Sequence, residues 1–233
     1  HRTTFHAELI FSFISIRAKQ VHAGSDRVAF GVCVMDSNEA QRFLEYLDPK
    51  AREWTFQVFD DQGGDFGRTL TGTLDSKWPT ITGMNDNGLG VSVTVNATAG
   101  NRKSENVQRV RAVWQDDDSG FDGSYPLPPS VVVQSSPGRY HRYWLVSDDW
   151  PADDQGREDF RRVMAGMVET YGNDPGAKDI SRVMRLPGTV NHKGDGDLAK
   201  VVFPQHGDVQ RYSRCEIVEA FGISVGEVEA ARE

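Results

Sequence analysis

Two cysteines in 233 residues, Cys33 and Cys215, are too few and too far apart for a disulfide scaffold or a cysteine-based zinc site. They suit a reducing, cytoplasmic setting. No run of about 18 apolar residues occurs, the length a membrane-crossing helix needs, so no membrane partner is expected. Positive charge is scarce as well: 26 Lys and Arg stand against 34 Asp and Glu, a formal net charge of −8. That argues against a protein that coats nucleic acid by bulk electrostatics. It leaves room for carboxylates that gather metal beside a local cluster of cations. No internal repeat is visible. What is present is 38% hydrophobic residues, enough to build the core of one large domain or two small ones.

The functional reading turns on Val110-Arg111-Ala112-Val113-Trp114-Gln115-Asp116-Asp117-Asp118-Ser119-Gly120. An apolar, extended-looking run ends in three carboxylates, and a glycine lets the chain turn away. Side chains alternate faces along a strand, so Asp116 and Asp118 point the same way with Cα atoms roughly 6.5–7 Å apart. Two carboxylates on one face repel unless a cation lies between them, and hard divalent ions take such oxygen ligands. A solvated acidic turn is the other reading of the same residues.

Along the chain, residues 1–34 read as an extension and the functional domain as 35–225, with a linker beginning at 226–233. Ser37 is expected to cap a helix through Leu47, and Trp54–Phe59 to form a strand. Thr69–Leu74 reads as a strand and Asp75 or Ser76 as the start of a helix ending near Asn87-Gly88. Gly90–Asn96 alternates cleanly and reads as another strand. Asp60 and Asp61 also follow a strand, but the Gly63-Gly64 turn accounts for them. Ser130–Ser135 and Tyr140–Val146 form a hairpin around Ser136-Pro137-Gly138-Arg139, with His141 at its tip. A helix over Asp153–Tyr171 is stopped by Gly172. Asp179–Arg185 reads as a short helix or turn, Ala199–Phe203 as a last strand, and Ser213–Phe221 as a final helix.

Three pieces then stand in order: Trp114-Gln115-Asp116-Asp117-Asp118, the hairpin Ser135 to Trp144 with His141, and Asp179-Ile180-Ser181-Arg182-Val183-Met184-Arg185-Leu186-Pro187-Gly188-Thr189-Val190-Asn191-His192-Lys193. The ordered set resembles the archaeo-eukaryotic primase–polymerase superfamily, in its plasmid- and phage-encoded RepB-like primase branch. The resemblance implies an α/β (α+β) fold: an RRM-like catalytic unit with a mixed or antiparallel sheet and flanking helices, plus an N-terminal α/β module. It implies that Asp116, Asp118 and Asp179 bind catalytic Mg²⁺ or Mn²⁺ and that His141 contacts the triphosphate of an incoming NTP or dNTP. Two departures stand out. Asp117 lies between the aspartates where the family usually has an apolar residue, and Arg139 lies two before His141 where a small one is usual.

The residue types fit that chemistry, because phosphoryl transfer needs positioning and charge neutralisation more than covalent help. Arg139, Arg182, Arg185, Lys193 and Ser136 are the further candidates for holding phosphate or template. Arg185 reads equally as the partner of a buried carboxylate. Arg142 falls on the face opposite His141. The expected activity is primer synthesis or extension on a single-stranded DNA template in plasmid or phage DNA replication, with a helicase as a possible C-terminal or separate partner. A metal-dependent nuclease or nicking domain, or a non-catalytic DNA-binding initiator module, are the alternatives.

Overall fold

A computed structural model describes residues 34–118, 120, 121 and 123–223. The expected extension, Val34 apart, and the expected linker lie outside the described residues. The chain begins with α1 (Ser37–Leu47), β1 (Trp54–Asp60), β2 (Gly67–Gly72), α2 (Leu74–Asp86), β3 (Leu89–Thr94) and β4 (Ala97–Thr98). There follow β5 (Val107–Arg109), β6 (Ala112–Asp117), β7 (Val131–Ser136), β8 (Arg139–Val146) and α3 (Asp154–Tyr171). The last third holds β9 (Val183–Arg185), β10 (Val190–Asn191), β11 (Asp197–Leu198), β12 (Lys200–Phe203), β13 (Arg211–Tyr212) and α4 (Arg214–Phe221).

Two main sheets result, as the α+β expectation requires. The first, in the order β2–β1–β3–β9, is antiparallel throughout. The second runs β12–β7–β8–β6, also antiparallel, and β13 adds a short parallel pairing at the far end of β8. Because β9 comes from the C-terminal third yet joins the N-terminal sheet, the chain's two ends are stitched into one core. A single buried cluster accordingly runs from Ala40 to Phe221. Its three largest fully buried side chains are tryptophans with satisfied N–H groups: Trp114 donates to Ala177 O (2.8 Å), Trp144 to Leu127 O (2.8 Å) and Trp150 to Gly156 O (3.0 Å). Burying an aromatic of this size stabilises only if its polar end keeps a partner.

Local chemistry moves several boundaries. Asp36 rather than Ser37 caps α1, its carboxylate accepting the N–H groups of Asn38 (2.9 Å) and Glu39 (3.3 Å). Thr73 caps α2 through Ser76 N–H (3.2 Å), so Leu74 belongs to the helix and β2 ends at Gly72. The run from Val107 splits into β5 and β6 where Val110 N–H donates to Trp150 O (2.9 Å) and Arg111 N–H to Asn96 Oδ1 (2.9 Å), and the Arg111 guanidinium turns in to Asp48 (2.8 Å), 4.5 Å over the Trp54 ring. Arg109 reaches the same carboxylate (2.5 Å), so both cations serve the fold. Val183–Arg185, expected as helix or turn, is a strand because β3 offers it a ladder. At Gly188 the backbone has φ +82, and a Cβ there would stand 2.0 Å from Asp36 O. Glycine therefore lets the Leu186-Pro187-Gly188 turn seat against the start of α1, where Asp36 N–H donates to Gly188 O (2.9 Å).

Candidate active site

Strand β8 is gripped on both sides, and that fixes the site. One rung of the ladder sets Asp116 of β6 opposite His141, and the next sets His141 opposite Val133 of β7. Directly opposed residues share a face, and His141 Nε2 stands 3.5 Å from Asp116 Oδ1. The imidazole is therefore one row inside the sheet, 7% exposed, rather than at the hairpin tip. β8 already begins at Arg139, directly after the two-residue turn, and neighbours on both edges cover the ring.

Burial lowers the His141 pKa to about 3, with the charge of Arg185 adding to the effect, so the ring is neutral at pH 7. Burial raises the Tyr143 phenol well above its ordinary value, so it stays protonated. Its hydroxyl lies 3.5 Å from His141 Nδ1. Nδ1 therefore faces the phenol and Nε2 faces Asp116.

Asp116 is pushed up to about 6 by burial and then by the charges of Asp118 and Asp174, while Arg182 and Lys193 pull it back down. Asp174 was not foreseen. It follows Gly172, the left-handed cap of α3 (φ 66), and its N–H donates to Asp116 O (3.4 Å). The intervening Asn173 is buried and bridges the free edge of β6: Asp116 N–H donates to its Oδ1 (2.8 Å), and its Nδ2 donates to Trp114 O (3.2 Å). An amide side chain thus takes the place of a neighbouring strand and holds the carboxylate's backbone. The only hint in the sequence was an Asn-Asp pair directly after a helix stop.

Asp117 points to the opposite face and is fully buried. Burial alone would raise its pKa, but N–H donation from Phe121, the Arg142 guanidinium and N–H donation from Gly120 hold it below the usual carboxylate range. The buried acid is thus matched by Arg142 from the neighbouring strand. The strand's parity separates Asp116 from Asp117.

The remaining candidates divide. Asp118 lies just beyond β6, exposed, 3.2 Å from Arg139, an open pair worth little in energy. Asp179 precedes β9, accepts from Ser181 Oγ (3.0 Å) and lies 3.1 Å from Arg182 Nε, the cation that also acts on Asp116. Arg185 is bound to the buried Asp61 through both terminal nitrogens (3.0 and 2.8 Å) and to Asn191 Oδ1 (3.2 Å). Asp61 also accepts His192 N–H (3.0 Å), and Asn191 Nδ2 donates to Ser135 O (3.0 Å). Arg185 therefore ties the loop that carries Lys193 to the β7–β8 hairpin. Ser136 lines a cleft of about 240 Å³ with Gln134, Pro137, Asp197, Leu198 and Lys200.

Carboxyl oxygens that burial and neighbouring acids leave poorly compensated are donors that a hard divalent cation suits. As the side chains stand, no three His, Cys, Asp or Glu groups among the described residues are close enough together to hold an ion.

A family model described as the RepB DNA-primase N-terminal domain matches residues 106–229, more than half of the chain. No curated protein matches. Among solved structures, the AEP domain of the cyanophage S-2L primase-polymerase superposes with a TM-score of 0.61 at 19% identity, covering 80% of this chain and 98% of that one. The primase RepB′ gives 0.58 at 19% identity, covering 84% of this chain and 64% of that one. The catalytic domain of primase RepB′ in complex with initiator DNA gives 0.59 at 18%, covering 84% and 96%. At such identities the likeness speaks for the fold.

Proposed function

The chain belongs to the RepB DNA-primase family, and from that premise we propose that it is a metal-dependent nucleotidyltransferase that makes or extends primers on single-stranded DNA. The observation that carries the proposal is the Asp116–His141 rung. It puts a crowded carboxylate beside a neutral imidazole, with Arg182 and Lys193 acting on the same carboxylate.

Asp116 and Asp118 would hold Mg²⁺ or Mn²⁺, with Asp179 or Asp174 as the third carboxylate. When bound, such an ion offsets the charge of the triphosphate and lowers the pKa of an attacking hydroxyl. The chain's own groups bind and orient. His141, kept neutral by burial, would donate one hydrogen bond from Nε2 to a phosphate oxygen without adding a charge to be desolvated. Lys193 is exposed and free to turn to a phosphate. Arg182, 3.1 Å from Asp179 and acting on Asp116, would be within the same site to meet a phosphate oxygen. Arg139 exchanges Asp118 for a phosphate oxygen at little cost, because that pair is open to solvent.

A labelled-nucleotide assay on a single-stranded template with Mg²⁺ or Mn²⁺ tests the proposal. Incorporation supports it. Template cleavage, or a mobility shift without synthesis, would replace it with a nuclease or with a silent DNA-binding module.

A further inference from the structure

The N-terminal sheet carries one face that the catalytic groups do not use, and that face is built from small and polar residues. Thr69, Gln57, Ser92 and Arg185 form one row across its four strands, and Gly67, Phe59 and Gly90 form the next. Thr69 Oγ1 donates to Gln57 Oε1 (2.8 Å). Phe59 breaks the pattern: it is an aromatic ring 36% exposed, flanked by two glycines. Arg102, from the loop after β4, lies with its guanidinium 5.6 Å from the ring centroid. Among the described residues that guanidinium makes no ion pair.

This ring is joined to the site. A Cβ on Gly90 would meet Asp61 Oδ1 at 2.2 Å and an Arg185 terminal nitrogen at 2.3 Å. The Asp61–Arg185 pair therefore rests on Gly90, directly across the strands from Phe59, and the charge of Arg185 acts on His141. The exposed ring, with the Arg102 guanidinium beside it, and the largely buried Asp61–Arg185 pair thus occupy adjoining rows of one sheet. Asp60, the nearest acid along the strand, is turned back on its own hairpin and accepts Gln62 N–H (2.8 Å).

We infer that Phe59 and Arg102 form a stacking platform for single-stranded DNA, on which a template base lies against the ring while the guanidinium meets the adjacent phosphate. The inference rests on the polymerase reading of the site and adds the path by which template reaches it. An aromatic face takes any base, and Arg beside it serves both stacking and charge. Duplex DNA keeps its bases stacked inside and gains nothing from the ring.

The test is fluorescence anisotropy with a labelled oligothymidylate, metal and nucleotide omitted, so that binding is read apart from synthesis. Phe59→Ala and Arg102→Ala should each weaken binding by roughly 5- to 100-fold, while Phe59→Trp retains it. Arg102→Ala should also flatten the salt dependence, log K against log salt, by about 0.7. The wild type should prefer the single strand to its duplex. Nucleotide incorporation by the wild type is read in a separate assay with metal and nucleotide added, so failure of the platform and failure of the polymerase reading give different results. Unchanged affinity in both Phe59→Ala and Arg102→Ala proteins would overturn the platform. If Phe59→Ala melts early, the loop variant Arg102→Ala decides alone.

Discussion

Asp116 on β6 and His141 on β8 oppose each other on one rung of the ladder, the imidazole Nε2 3.5 Å from the carboxylate Oδ1. The two groups are held together by strand register rather than by a loop, so neither moves without the sheet. A slip of one residue would bring Asp117 forward and turn Asp116 into the interior.

Replacing His141 with Ala removes the neutral donor beside Asp116. The nucleotide KM should rise by roughly 10- to 150-fold, the worth of one hydrogen bond to a charged group. Steady-state incorporation at varied nucleotide measures it. An unchanged KM would remove His141 from the nucleotide site.

Asn173→Ala leaves Asp116 N–H and Trp114 O without a partner at the edge of β6. A stability loss of about 1–3 kcal/mol is expected from the unmet groups. kcat should fall more than nucleotide affinity, because the amide holds Asp116 and touches no phosphate. Urea unfolding and a KM-against-kcat comparison read the two effects separately. Equal loss in a variant far from Asp116 would reduce Asn173 to a fold residue.

Arg142→Ala strands the fully buried Asp117 without its countercharge, and about 3–5 kcal/mol of stability should be lost. Replacing both residues by leucine should recover much of that, since two matched apolar groups cost less than one orphaned acid. Equilibrium urea denaturation of the single and double variants checks this. A mild single variant would contradict the structural role of Asp117.

Asp48 ties the end of α1 to Arg111 and Arg109. Burial pushes its carboxyl up, but the two guanidinium groups outweigh burial and hold it below the usual range. A depressed folded pKa contributes stability that is present above the unfolded value of about 3.9 and is lost as pH falls through the folded value. Urea midpoints of the wild type should therefore drop as pH falls below about 4. Asp48→Asn, already weakened at pH 7, should lose less over the same interval. Parallel pH profiles would contradict the assignment.

Much of this was legible in the sequence, for physical reasons that differ by region. The α3 and α4 helices carry their own punctuation, Asp153 with Gly172 and Ser213 with Gly222, and appear where composition puts them. Motif order singled out Asp116 and His141, but their meeting on one rung, with His141 inside the sheet rather than at the hairpin tip, depends on a register that only the fold supplies. What could not be read depends on partners far along the chain. Arg185 looked suited to phosphate or to a buried acid, and only the fold brings Asp61, 124 residues away, to its two nitrogens. Parity set Asp117 apart from Asp116 and Asp118, but no local pattern named Arg142 as its partner, which the hairpin supplies. Asn173 and Asp174 belong to a loop whose value comes from packing beside the edge of β6, and no local pattern announces that.

Asp116 carries the functional proposal, so its removal is the most direct test. Labelled-nucleotide incorporation on a single-stranded template should be compared between the wild type and Asp116→Asn, at equal concentrations of folded protein with Mg²⁺ or Mn²⁺. Synthesis by the wild type and a loss of at least about 10²-fold in the variant, with the melting temperature kept, is the expected result. Synthesis by the folded variant at the wild-type rate would contradict it.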